Sequence, residues 1–377
     1  MKKHYMFTPG PTMVPQEVLM AEAAPMIHHR TPQFSRLLRE TTEWMKELFG
    51  TGQDVYTICG SGTAAMEAAI ANTCSPGDAA VCVMGGKFGE RWVELGEAYG
   101  CEVKAVEHEW GSSPSIDQVR AALDETPQAR VLCVTHSETS TGALADVAAL
   151  AALTRQRDTL LLVDGITSVG VHPVRMDEWG VDVLVSGSQK GLMMPPGLAF
   201  IAASQRAWQA IETSSSPRYY LDMRAMKKSL QKGTTPYTAP VSLVRALHEA
   251  LRMIREEGQE DLYARHERLA QAARAAAGAM GLKLVAENPV NGVTAVRAPE
   301  GIDTDRMTKL TRDTYGVTIA GGQGLLKGKI FRIGHMGYVV PEDLLVAISA
   351  VERALKELGH EFEFGAGVAA AQEALFG

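Results

Sequence analysis

A chain of 377 residues, 46% of them apolar, with a formal net charge of −7, is long enough for two hydrophobic cores and ordinary in composition for a globular protein. Its 37 basic residues are scattered among 44 acidic ones, so no electrostatic footprint for nucleic acid is present. Apolar runs such as Leu160-Leu161-Leu162-Val163 stop far short of the roughly 20 residues that span a bilayer. Met1 to Phe7 runs into Thr8-Pro9-Gly10-Pro11 without a signal-peptide core. A soluble cytoplasmic protein with no membrane or nucleic-acid partner is the expectation.

In chain order, Phe34, Leu37, Leu38, Trp44, Met45 and Leu48 recur at helical spacing, which predicts an amphipathic helix over 34–49. Strand-like and helix-like stretches then alternate to about residue 203. Strands are expected at 55–59, 80–84, 101–106, 131–135, 159–163, 181–186 and 198–202. Between them lie an Ala-rich helix at 63–72, helices at 90–99 and at 115–123, the latter capped by Ser115, and a further segment at 147–154. This rhythm favours a mostly parallel seven-stranded sheet covered by helices on both faces, an α/β fold.

Residues 240–280 read as long helices, followed by a smaller α+β region with strands near 283–286, 293–297 and 330–333 and a helix at 342–358. A last helix at 368–376 follows a short Gly365-Ala366-Gly367 segment. The expected organisation is an N-terminal arm (1–18), a large domain (19–250) and a small C-terminal domain (251–377).

The five cysteines all precede residue 134, contain no CxxC pair and sit mostly in apolar stretches, which fits reduced buried thiols. The ten histidines lack ligand spacing, so no metal site is expected.

Three positions carry chemistry. Cys59-Gly60-Ser61-Gly62-Thr63 lies where a strand ends and a helix begins. There the first helical N–H groups have no partners of their own, and a phosphate gains them together with the favourable end of the helix dipole. A plain strand–helix turn capped by Ser61 explains the same residues. Asp164 closes an apolar strand, at the edge where open α/β sheets bind ligands; it can hold a heterocyclic nitrogen protonated or simply cap the next turn. Lys190 follows Val185-Ser186-Gly187-Ser188-Gln189 and precedes a run with almost no charge, Gly191-Leu192-Met193-Met194-Pro195-Pro196-Gly197. Apolar surroundings push a lysine pKa down and free the amine for Schiff-base chemistry.

The run from Val181 through Lys190, followed after six residues by Gly197-Leu198-Ala199-Phe200, resembles the cofactor-lysine signature of class V aminotransferases. Thr8-Pro9-Gly10-Pro11, His29-Arg30-Thr31-Pro32-Gln33-Phe34, Gly60-Ser61-Gly62, the segment Thr135-His136-Ser137-Glu138-Thr139-Ser140-Thr141-Gly142, Leu162-Val163-Asp164 and Phe331-Arg332-Ile333-Gly334 resemble the alanine–glyoxylate and serine–pyruvate branch in the same order. The resemblance implies a fold-type I transferase dependent on pyridoxal 5'-phosphate.

It also implies a role for each matching residue. Lys190 would form the internal aldimine and shuttle the proton between substrate Cα and cofactor C4′. Asp164 would hold the pyridine nitrogen protonated. Ser61, Gly62 and Thr63 would hold the phosphate, with Gln189 close by, and Thr139 would lie near the ring hydroxyl. Phe88 would stack on the ring, where relatives often carry Trp. Gly10 and Arg332 would contact substrate, Arg332 gripping its carboxylate with a bidentate fork. Thr235 and Thr238 would reach the cofactor phosphate of a neighbouring subunit, which makes a homodimer the expected active unit. Thr235 departs from the branch, which often places Tyr near there.

The implied reaction is ping-pong transfer of an amino group from alanine or serine to glyoxylate or pyruvate. Alternatives are another donor (2-aminoethylphosphonate, aspartate or a ureido acid, with Arg30 or Lys87 reading a second anion), a lyase or hydrolase of the same fold, or a non-catalytic interaction subunit. A cysteine desulfurase would need a C-terminal cysteine, and none follows Cys133.

Overall fold

A computed structural model describes residues 3–377. Its strands are β1 (Tyr5–Phe7), β2 (Val55–Cys59), β3 (Ala79–Met84), β4 (Glu102–Glu107), β5 (Val131–Thr135), β6 (Ser137–Glu138), β7 (Ala143–Leu144), β8 (Leu160–Asp164), β9 (Val183–Gly187), β10 (Leu198–Ala203), β11 (Val293–Arg297), β12 (Val317–Gly321) and β13 (Ile330–Gly334). Seven of them form one sheet in the order β2-β10-β9-β8-β5-β3-β4. Only β10 runs against its neighbours, pairing antiparallel with both β2 and β9. The other pairings are parallel, so β5, β8 and β9 end at a common edge.

Both faces of this sheet are buried, and the strand residues divide between them with the period of two that a pleated strand imposes. Val81, Val83, Leu132, Val134, Leu161 and Val163 belong to one core, while Ala80, Cys82, Val131, Cys133, Leu160 and Leu162 belong to the other. Four of the five cysteines are buried and all five are free thiols, as their apolar settings suggested.

The first four helices are α1 (Gln16–Ala23), α2 (Pro32–Phe49), α3 (Gly62–Thr73) and α4 (Lys87–Ala98), of which α3 and α4 start at the site. α2 begins where the Thr31 side chain accepts from the Phe34 N–H and ends at Gly50 in a left-handed conformation, the pairing of signals that bounds a helix. The long helices Val241–Glu257 and Gln259–Ala279 meet at Gly258. Position 250 lies within the first of them.

A second sheet, β1-β12-β13-β11, packs with Gln259–Ala279, Pro341–Glu357 and Ala366–Phe376 around a separate core containing Phe7, Phe331, Leu344 and Val351. The N-terminal arm thus supplies an edge strand, β1, to the sheet that carries Arg332. Among the described residues, no helix is long and apolar enough to cross a membrane.

Two local expectations are corrected. Residues 283–286 form no strand: Val285 N–H and Lys283 C=O bond to the β11 edge, but the chain then leaves, and Glu287 N–H bonds to Gly111 C=O. The pairing is reduced to a single bridge, Leu284 with Val296. The helix expected over 90–99 begins earlier, at Lys87, because a side chain distant in sequence satisfies its first N–H groups.

Candidate active site

The strand ends at one edge of the large sheet place the chemistry. Thr135 and Asp164 are register partners across β5 and β8, and Asp164 faces Val185 of β9. Asp164 is buried, and one carboxylate oxygen accepts from the Ile166 N–H at 2.8 Å. Burial pushes its carboxyl up to about 7, with the nearby Glu138 charge adding to the rise. The Ile166 hydrogen bond, Arg91 and Lys190 oppose it.

Lys190 follows β9 at the same edge. Its Nζ donates to the Pro9 carbonyl at 2.8 Å, and its backbone carbonyl accepts from the Thr12 hydroxyl at 3.2 Å. The arm from Pro9 to Thr12 therefore lies directly on the lysine. Gly10, with φ +147°, sits so close that an added Cβ would lie 2.6 Å from Lys190 Cε. Burial pushes the Lys190 amine down to about 8 even though Asp164 pulls it upward; Arg332 and Arg91 lower it further.

Arg332 reaches the same place from β13. It is buried, its Nε donates to Gly321 C=O at 2.9 Å, and its Nη1 donates to Thr139 C=O at 2.8 Å. Two backbone acceptors fix the guanidinium plane. Burial pushes its pKa down to about 10, with Glu138 opposing.

α3 starts at Gly62, and the Ser61 side chain makes no capping hydrogen bond, so its hydroxyl and the first N–H groups of the helix stay free for an anion. Gly187 lies against Gly62 and beside Gln189 Oε1. That Gln189 oxygen and the Thr139 hydroxyl are buried without a hydrogen-bond partner. Such orphans are costly unless a ligand completes them. Phe88, in the first turn of α4, carries the Arg91 guanidinium over its ring, 5.0 Å from the centroid.

Thr235 and Thr238 lie elsewhere, Thr238 exposed and Thr235 half-buried. They line a cavity with Cys59, Tyr220 and Tyr237, next to the Gly60–Ser61 turn. Thr235 donates to Tyr237 C=O, and Arg30 holds the same segment through Thr234 Oγ1 and Thr235 C=O. Lys87, the other candidate for reading a second anion, is paired with Glu90.

Two residues near the site were not singled out in the sequence. Arg91 acts on both Asp164 and Lys190 and has no ion pair among the described residues. Glu138 accepts from Phe88, Gly89 and Ser140. The one signal for Glu138 was its position as the sole carboxylate in an otherwise uncharged Thr135–Gly142 run.

Residues 4–332 match the family model described as aminotransferase class-V. The chain is 44% identical to the soluble hydrogenase 42 kDa subunit of Anabaena cylindrica, over 98% of each chain. It is 40% identical to the L-aspartate–glyoxylate aminotransferase of Paracoccus denitrificans, over 97% of this chain and 95% of that one. The crystal structure of the alanine–glyoxylate aminotransferase of Nostoc sp. superposes with a TM-score of 0.91 at 33% identity, covering 94% of this chain and 96% of that one.

Proposed function

Since the chain belongs to the class V aminotransferases, we propose that it carries pyridoxal 5'-phosphate on Lys190 and moves an amino group from a small amino acid, alanine or serine, to glyoxylate or pyruvate. The observation that carries this reading is the convergence of a half-buried, pKa-depressed lysine and a buried carboxylate at one sheet edge. The family fold, α/β with a mainly parallel seven-stranded sheet, is present. The unpartnered Gln189 and Thr139 oxygens and the open first turn of α3 fit the polar groups of this cofactor.

When bound, the cofactor supplies an electron sink for the pair released at the substrate Cα. The rest falls to the protein. Lys190, neutral in a useful fraction near neutral pH, attaches the cofactor and then moves the proton at Cα. Asp164 would hold the ring nitrogen protonated. Ser61, Gly62 and Thr63, with Gln189, hold the phosphate at the helix N-terminus. Thr139, whose hydroxyl is unpartnered, would take the ring hydroxyl, and Phe88 would stack on the ring.

Arg332 binds the substrate carboxylate. Two of its nitrogens are fixed by Gly321 and Thr139, while Nη2 makes no hydrogen bond to protein among the described residues. Gly10 leaves room beside Lys190. Thr235 and Thr238 reach the phosphate of a partner subunit in a cytoplasmic homodimer.

A second reading takes its cue from the Anabaena relative: an interaction subunit that keeps an enzyme's fold. Burying Asp164 and Arg332 and half-burying Lys190 at one site costs folding free energy that a scaffold has no use for. That weighs for chemistry. The test is a donor panel of alanine, serine, aspartate, 2-aminoethylphosphonate and a ureido acid with glyoxylate or pyruvate, following keto-acid formation. Turnover with alanine or serine as the best donor supports the proposal. Transfer confined to aspartate or another donor overturns the substrate assignment, and no transfer at all favours the interaction subunit.

A further inference from the structure

α4 begins at a glycine that has no side chain with which to cap it. Gly86 is its N-cap, and the next three N–H groups belong to Lys87, Phe88 and Gly89. A helix normally closes these orphans with its own cap or with water. Here they are closed from a segment some fifty residues away. Phe88 N–H and Gly89 N–H both donate to Glu138 Oε2 at 3.0 Å, and Lys87 N–H donates to Ser140 Oγ at 3.1 Å. The Ser140 N–H and hydroxyl donate in turn to Glu138 Oε1. All four acceptor bonds of the carboxylate are thus spent on two chain segments, and the positive end of the helix dipole faces it; burial raises its pKa, and these hydrogen bonds oppose the rise. The fit is close: a Cβ on Gly86 would lie 2.5 Å from Glu138 Cγ.

The same corner points the other way through the next residue. Thr139 C=O accepts from Arg332 Nη1, and the Thr139 hydroxyl is one of the unpartnered oxygens of the site. A shift of Glu138 would therefore displace Phe88 through α4 and Arg332 through Thr139.

We propose that Glu138 is a positioning residue that holds the ring-covering Phe88 and the carboxylate-binding Arg332 in register across the cofactor site. This rests on the pyridoxal phosphate reading given above. A neutral glutamine offers one acceptor oxygen where the carboxylate offers two, and turns an amide toward N–H donors. One of the two segments, α4 or Ser140, then loses its acceptor and the link between them is broken, while side-chain volume is kept.

The experiment is a double-mutant cycle on Glu138→Gln and Phe88→Ala, read first as the dissociation constant of pyridoxal phosphate by titration and as the visible circular dichroism of the bound cofactor. Cofactor affinity in Glu138→Gln should fall about tenfold, the size of one charge-assisted hydrogen bond. Its dichroism should change, and KM for the amino donor should rise. Glu138→Gln combined with Phe88→Ala should bind cofactor no more weakly than Phe88→Ala alone, because coupled residues are not additive. Additive losses, or wild-type affinity and dichroism in Glu138→Gln, would overturn the proposal. Should Glu138→Gln fail to fold, Ser140→Ala, which removes only the hydroxyl bridge, enters the same cycle with a smaller loss expected and the same additivity criterion. Wild-type protein that takes up no cofactor defeats the underlying reading instead, and the two failures are distinguishable.

Discussion

The Lys190 amine donates a hydrogen bond to the carbonyl of Pro9, 181 residues earlier, at 2.8 Å. The lysine of the large sheet and the N-terminal arm are thus one structural unit. Gly10→Ala tests that unit. Its backbone φ of +147° and its contact with Lys190 leave no place for a methyl group. Strain of a few kcal/mol should lower kcat/KM by roughly tenfold to a hundredfold. Steady-state kinetics check this, with an unchanged far-UV spectrum confirming the fold.

The depressed Lys190 amine gives a pH signature. Schiff-base formation needs the neutral amine, and burial places its pKa at about 8 rather than 10.5. In protein stripped of cofactor, the rate of pyridoxal phosphate capture should rise with pH and level off near 8. Stopped-flow absorbance across pH 6–10 measures it. A rate still climbing toward the ordinary lysine pKa would show that the amine is solvated.

Asp164 predicts a stability effect with a definite sign. Burial raises its carboxyl from 3.8 to about 7, so within that window the folded state holds a proton that the unfolded state has released. The contribution of Asp164 to the stability of the cofactor-free protein therefore falls as pH rises from about 4 to 7, against the opposite contribution of His136, His172, His266 and His335, whose pKa values burial lowers to about 3–4. Asp164→Asn, which cannot ionise, should remove this contribution, so that its melting temperature relative to wild type rises between pH 5 and pH 8 and lies above wild type at pH 8 when cofactor-free. It should nevertheless lose activity by about two to three orders of magnitude, the range typical of losing one electrostatic contact in a site. Paired melting curves at pH 5 and 8 decide the first part.

Much of this was legible in the chain. The large sheet was legible from its continuous apolar runs, each ended by a polar turn, because a buried parallel strand must be apolar on both faces. Asp164 and Lys190 stood out because each ends such a strand. Glu138 did not, since its role is set by a partner helix far away in sequence, and for the same reason the start of α4 was misplaced. β1 was also missed: three residues beside a Pro-rich turn carry no strand signal until β12 pairs with them.

Arg332 should separate binding from chemistry. Arg332→Ala removes the fork and leaves the Thr139 and Gly321 carbonyls without their donor. KM for the amino donor should rise by roughly tenfold to a hundredfold, the worth of a charged hydrogen-bonded contact. Cofactor affinity should move much less. Kinetics run beside a cofactor titration test the split, and equal losses in both would place Arg332 on the cofactor instead.

The most direct measurement is borohydride reduction of the cofactor-loaded protein followed by peptide mapping. The account predicts that the visible band disappears and that one reduced pyridoxyl adduct maps to Lys190. An adduct on another lysine, or protein that takes up no pyridoxal phosphate, would contradict it.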